Sequence, residues 1–229
     1  PIPQAVKDKL MAFANSRTLL IRQPGLTAEA DGKIRFYLVD AGATQPAYLQ
    51  YDLANYTDLL ALDFECLAQD DAAAWQTAPL YLVCTNGKRD VCCAVQGLPL
   101  YRALSEIVGD AVWQVNHFGG HRFASVSLLF PHALAYGRLD QYDAPDLAQS
   151  YADGRVLLKH FRAQASVPKP VQVAEYFLRQ DLEEMRLSSL RYEAHTLEDD
   201  IAEVCFKIGT SRYRVRVQDQ DLLGIERLD

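Results

Sequence analysis

The chain brings two kinds of soft ligand close together: thiols at Cys84, Cys92 and Cys93, and imidazoles at His117 and His121. They fall in two runs, CTNGKRDVCCA from Cys84 and HFGGH from His117. Thiolate and imidazole donors suit zinc, copper and iron–sulfur centres, not magnesium or calcium. Gly87, Gly119 and Gly120 remove side chains where backbone must wrap round a metal centre and aim N–H groups inward. Lys88, Arg89 and Arg122 lie beside the donors and add positive potential, which favours thiolate over thiol. Cys92 and Cys93 are adjacent at the start of a predicted helix, where neighbouring side chains point about 100° apart. Only one of them can face a metal, and the residues themselves do not choose between the two.

The remaining cysteines and histidines read differently. Cys66 and Cys205 stand alone and are expected as small core residues. His132, His160 and His195 are also isolated and are not expected to be ligands. The sequence has no C-x-x-C, so neither a standard zinc finger nor a thioredoxin-type dithiol is present. No pair of carboxylates is placed as a glycosidase requires.

Three segments position the donors. Residues 1–76 open with a helical stretch, VKDKLMAFANS. Strand-like TLLIRQ and KIRFYLVD follow, split by a turn at Ala30-Asp31-Gly32-Lys33. YTDLLALDFECLAQDDAAAW is then apolar at helical spacing. Residues 77–165 predict a strand, PLYLVCT, a helix from Asp90 to Val108 interrupted at Gly97 and Pro99, and a strand, AVWQVNH. After FGGH come strands RFASVSLLF and ALAYGRL, then one or two helices over 143–162. The order β-α-β-β-β-α predicts an α/β fold of thioredoxin type. Cys84 ends one strand, the cysteine pair opens the next helix, and the histidines follow the next strand. Loops at the carboxyl ends of neighbouring strands open into one crevice, where all the donors can converge. Residues 166–229 predict a helix over about 171–185 and three strands, SLRYEAH, AEVCFKIG and RYRVRVQD, a small α+β unit. Arg212, Arg214 and Arg216 alternate along the last of these as a solvated face.

Bulk properties narrow the partners. The chain has 229 residues, 49% hydrophobic, enough for a sizeable core. A formal net charge of −7 argues against non-specific binding to nucleic acid or anionic membranes, and suits a basic redox partner. The N-terminal residues lack signal-peptide character, and no run approaches the roughly 18 apolar residues of a membrane span. Five unevenly spread cysteines fit a reducing, cytoplasmic setting.

CTNGKRDVCCA followed by HFGGHRFA resembles the sucrase/ferredoxin-like family, related to the thioredoxin-like [2Fe–2S] ferredoxins. In those proteins the ligand pattern is C-x8-C or longer, then C-x3-C; in a bis-histidinyl branch the second pair becomes H-x3-H. The resemblance is densest over 79–130. It implies a thioredoxin-like ferredoxin core with flanking α+β segments and a [2Fe–2S] cluster held by Cys84, Cys93, His117 and His121. It thereby selects Cys93 over Cys92, and it implies an electron carrier working with a redox partner protein, not a stand-alone catalyst. Sucrase activity is not carried over, and self-association as a homodimer is left open. Two neutral imidazoles in place of two thiolates make the site less negative, so its potential should lie above that of plant-type ferredoxins. A second ring nitrogen allows a proton to move with the electron. Two other chemistries use the same residues: a zinc-stabilised interaction module, and a thiol redox protein acting through Cys92 or Cys93.

Overall fold

The computed structural model describes residues 2–14, 16–24, 32–67, 74–88 and 91–228, with His121 described by its backbone only. Arg89 lies outside the described residues, as do Ala30 and Asp31 of the expected turn. Helix α1 spans Gln4–Ala12 and strand β1 is Ile21–Arg22. Strands β2 (Ile34–Asp40) and β3 (Ala47–Leu53) pair as an antiparallel hairpin. A 3-10 turn, Tyr56–Leu60, leads to the one-turn helix α2, Phe64–Leu67. The core follows as β4 (Leu80–Cys84), α3 (Val91–Val108), β5 (Val112–Val115), β6 (Val126–Phe130), β7 (Leu134–Gly137), α4 (Ala144–Ala152) and β8 (Phe161–Gln164). The chain ends with α5 (Lys169–Leu182) and strands β9 (Leu190–Glu198), β10 (Ile201–Ile208), β11 (Ser211–Gln218) and β12 (Asp221–Arg227).

Six strands form the central sheet in the order β1-β5-β4-β6-β7-β8. β4 and β5 run parallel and need a crossover helix, which α3 supplies. β6 and β7 return antiparallel. This β-α-β-β-β-α order, with β5-β4-β6-β7 side by side, is a thioredoxin-like α/β core. β4 is buried along its whole length, and its side chains alternate between faces. Tyr81 and Val83 face a core shared with Leu100 and Leu104 of α3 and Leu147 and Tyr151 of α4. Leu82 and Cys84 face a second core with Trp113, Val126 and Leu128. On that second side Tyr37 of β2 packs against Trp113, and a cavity of about 1110 Å³ lies between β2 and the sheet. The first segment has its own small core of Val6, Leu53, Leu59 and Phe64.

α3 runs unbroken through Gly97 and Pro99, where the sequence predicts an interruption. An internal proline costs about 3 kcal/mol. The helix recovers more by burying Leu100, Tyr101 and Leu104, since each large apolar side chain is worth about 1.5–3 kcal/mol. The stretch 56–67 is also not one helix. Asn55 and Asp58 cap the 3-10 turn reciprocally, and the Asp63 carboxylate accepts from the N–H of Glu65 and Cys66 to start a new turn. Cys66 is exposed there, contrary to its expected core role, and Cys205 is only partly buried. Over 143–162 there is one helix, followed by strand β8, which pairs with β7.

The C-terminal unit has four strands where three are predicted, in the order β12-β11-β10-β9. Val171, Ala174 and Leu178 of α5 pack on Val204, Phe206, Val215 and Val217. Arg212, Arg214 and Arg216 form the solvated face, paired with Glu193, Glu203 and Glu226. Arg179 anchors this unit. It pairs with Glu175 at 2.8 Å, both about 3% exposed, and donates to the carbonyls of Glu184 and Arg186. No helix among the described residues is long and apolar enough to cross a membrane.

Candidate metal centre

Helix α3 buries one stripe: Cys93, Gly97, Leu100, Tyr101 and Leu104. Cys93 is in phase with that stripe and fully buried, whereas Cys92, rotated off it, is exposed. Cys84 closes β4 and is also fully buried. Gly97 makes their approach possible. A β-carbon on it would lie 2.1 Å from the Cys84 carbonyl oxygen, so only glycine lets the helix press on the strand end. Gly87 plays the same part for the connecting loop, where a β-carbon would meet Ala94 Cβ at 2.8 Å.

His117 follows β5 and is partly buried. Its Nδ1 lies 3.7 Å from Cys93 Sγ. The donor atoms of Cys84, Cys93 and His117 all lie within 4.8 Å of one another. The His121 side chain lies outside the described residues; its backbone opens a 3-10 turn, His121–Phe123. Between the two histidines Gly119 and Gly120 hold φ values of 107° and 72°, backbone that other residues rarely adopt. Of the expected positive neighbours, Lys88 is exposed at the end of the cysteine loop, and Arg122 is exposed beside Phe123. Three convergent soft donors under a glycine-relieved backbone fit a metal of the zinc, copper or iron–sulfur kind.

The first segment supplies a clamp that motif reading misses. The Leu20 N–H donates to Asn116 Oδ1 and the Asn116 N–H donates to the Leu20 carbonyl, each at 2.9 Å. Arg17 Nη2 donates to the Phe118 carbonyl. Residues on both sides of His117 are therefore tied to the strand that enters from about a hundred positions earlier. Below them Gln114 Oε1 accepts from Arg22 Nε at 2.9 Å and from the Thr85 hydroxyl at 3.1 Å, linking β1, β5 and the loop after Cys84.

The other histidines have structural partners. His160 bonds Asp143 and the Gly137 carbonyl, His132 bonds the Tyr151 hydroxyl, and His195 bonds the Tyr192 hydroxyl. The helical phase of Cys93 with Leu100 and Leu104 is a sequence signal that separates it from Cys92 without any family pattern.

Fold and site together define a thioredoxin-like protein with a thiol–imidazole donor cluster at the carboxyl end of its parallel strands. The sequence pattern of the Sucrase/ferredoxin-like family matches residues 5–163, and the chain belongs to that family. Among solved structures it is similar to a thioredoxin-like [2Fe–2S] ferredoxin from Aquifex aeolicus, at 11% identity and a TM-score of 0.37, over 41% of this chain and 98% of that one. A cysteine-to-serine variant of that ferredoxin aligns at 11% identity and a TM-score of 0.34, over 37% of this chain and 97% of the other. No curated protein matches the chain in sequence.

Proposed function

We propose that this protein is an electron carrier whose [2Fe–2S] cluster is held by Cys84, Cys93, His117 and His121. Residues 77–165 form the unit that carries the centre, with 1–76 and 166–229 as flanking segments. The observation that supports this best is the convergence of two fully buried thiols and a partly buried imidazole within 4.8 Å. When bound, such a cluster supplies one-electron chemistry. Cys84 and Cys93 hold it as thiolates from the shielded side, where Gly97 keeps helix and strand in contact. His117 places Nδ1 3.7 Å from Cys93 Sγ; with Nδ1 as the ligand atom, Nε2 would be the atom at which a proton is held or released with the electron. His121 completes the set by the H-x3-H spacing. The carrier works in the cytoplasm, where thiols stay reduced, and passes its electron to a redox partner protein.

Metal and sulfide analysis tests this directly. Protein made with ample iron should hold about two iron and two acid-labile sulfides per chain, the content of a [2Fe–2S] centre. One feature favours a second reading. Three donors this close also suit a single tetrahedral ion such as zinc. Stoichiometric zinc with no sulfide would establish that reading and remove the first.

A further inference from the structure

The loop that carries the histidines is ringed by arginines. Arg17 binds the Phe118 carbonyl. The guanidiniums of Arg122, Arg138 and Arg162 lie 4.9, 5.4 and 3.3 Å from the centre of the Phe123 ring. All three of these residues are exposed. Among the described residues no carboxylate lies within 4.0 Å of any of the three, although arginines elsewhere are paired with glutamates. Burial, and then the charges of Arg122 and Arg138, push the Arg162 guanidinium below its ordinary value.

The cluster is built into the fold. A β-carbon on Gly137 would lie 2.7 Å from Arg162 Cδ and 2.9 Å from Phe123 Cβ, so glycine there makes room for the stack. Arg138 holds a φ of 59°, in the left-handed region, and its N–H donates to the Phe123 carbonyl at 2.8 Å. The Phe123 N–H in turn donates to the Gly120 carbonyl at 2.8 Å. These backbone bonds tie Arg138 and Phe123, the ring under the guanidiniums, to the glycine loop between His117 and His121. Three guanidiniums without a carboxylate within 4.0 Å make the local charge positive, against a chain of net charge −7.

We propose that Arg122, Arg138 and Arg162, gathered on Phe123, are the docking surface for the acidic face of a redox partner, and bring it up against the metal centre. This deepens the electron-carrier reading and rests on it. It also departs from what net charge alone implies, which is a basic partner.

Two arms test it. In the first, hexacyanochromate(III), a redox-inert paramagnetic anion, is titrated into the purified protein. The Nε–H signals of Arg122, Arg138 and Arg162 should broaden before those of other arginines, and added salt should abolish the effect. Broadening elsewhere first overturns the proposal, whatever metal the protein holds. In the second arm the reduced protein gives one electron to ferricyanide, yielding ferrocyanide, or to hexaammineruthenium(III), yielding the ruthenium(II) ion. The ferricyanide rate should fall about tenfold from low to high salt, and the ruthenium rate should not fall. Arg138→Gln and Arg122→Gln should each remove most of that salt dependence, while Arg138→Lys, which keeps the charge, should retain it. If the cationic oxidant is the one slowed by salt, the net charge governs and the proposal is wrong. Protein without iron and sulfide sinks the carrier reading alone; the first arm still decides whether the arginines capture anions.

Discussion

Gly97 and Cys84 touch through backbone: the space a β-carbon would need at Gly97 is already filled by the Cys84 carbonyl oxygen, 2.1 Å away. Helix and strand are thus pressed together one turn beyond Cys93, and the distance between the two thiols depends on that contact.

Gly97→Ala should therefore force α3 off the end of β4. Overpacking of this kind costs about 1–3 kcal/mol, sometimes more. The urea midpoint should drop, and bound metal per folded chain should drop with it. Unchanged metal content in a folded Gly97→Ala protein would mean that the helix–strand contact does not set the donor spacing.

The adjacent cysteines should behave in opposite ways. Cys93→Ser removes a buried donor 3.7 Å from His117 Nδ1 and should abolish or severely weaken metal binding. Cys92→Ser alters an exposed position and should leave metal content near wild type. Metal analysis and the visible absorption spectrum of both variants check this, and the reverse result would reassign the ligand.

Asn116→Ala and Arg17→Ala each cut one tie beside His117. Loss of a group that orients a ligand typically costs 10–100-fold in metal affinity. Both ties are exposed, so a loss of about tenfold is expected for each, read by competition with a chelator. Wild-type affinity in both variants would show that the first segment does not hold His117.

Much of this site is legible before any coordinates. PLYLVCT reads as a buried strand ending on Cys84, and the cysteine and histidine runs each follow or precede an element of clear period. The clamp is not legible, because Arg17 and Phe118 lie 101 positions apart and nothing local marks them as partners. β3 is harder to read because its first three residues are all buried, which leaves apolar–polar alternation only over Leu49-Gln50-Tyr51-Asp52-Leu53. β12 is hidden by Gly224 and by its mostly exposed side chains. Pro99 misleads in the other direction: a local breaker is overridden by the apolar stripe that packs on the sheet.

Glu175→Ala should be strongly destabilising. Burial raises the Glu175 carboxyl, and the adjacent Arg179 guanidinium opposes that rise. Removing the glutamate leaves a buried guanidinium without its counter-charge, a loss of about 3–5 kcal/mol in such cases. Replacing both residues with methionine should cost less than the single change. Chemical denaturation of the two variants compares them, and equal losses would deny that the unpaired charge is the cause.

Acid should loosen the joint that leads into the C-terminal unit. The hydrogen bonds from Arg186 hold the Glu184 carboxyl down at about 2, against an ordinary 4.5. A depressed carboxyl contributes stability that is fully present above the ordinary value and is lost as pH falls from about 4.5 towards about 2. Arg186→Gln should flatten the stability curve over that range and leave its neutral limb shape unchanged. Denaturation midpoints measured from pH 6 downward give the comparison, and an acid limb identical to wild type would remove Glu184 as its source.

The central sheet ends, on the side of the histidine strand, in a strand of only two residues, Ile21–Arg22. A long, flat outer strand is a template on which a second chain can build, and very short edge strands are one way proteins deny it. Here the same short piece continues backwards into the Leu20 backbone and the Arg17 side chain that grip Asn116 and Phe118. One stretch of chain thus holds the His117 loop in place and guards β5 against runaway strand pairing, so damage that frees it would expose the protein to aggregation as the thiol–imidazole cluster comes apart.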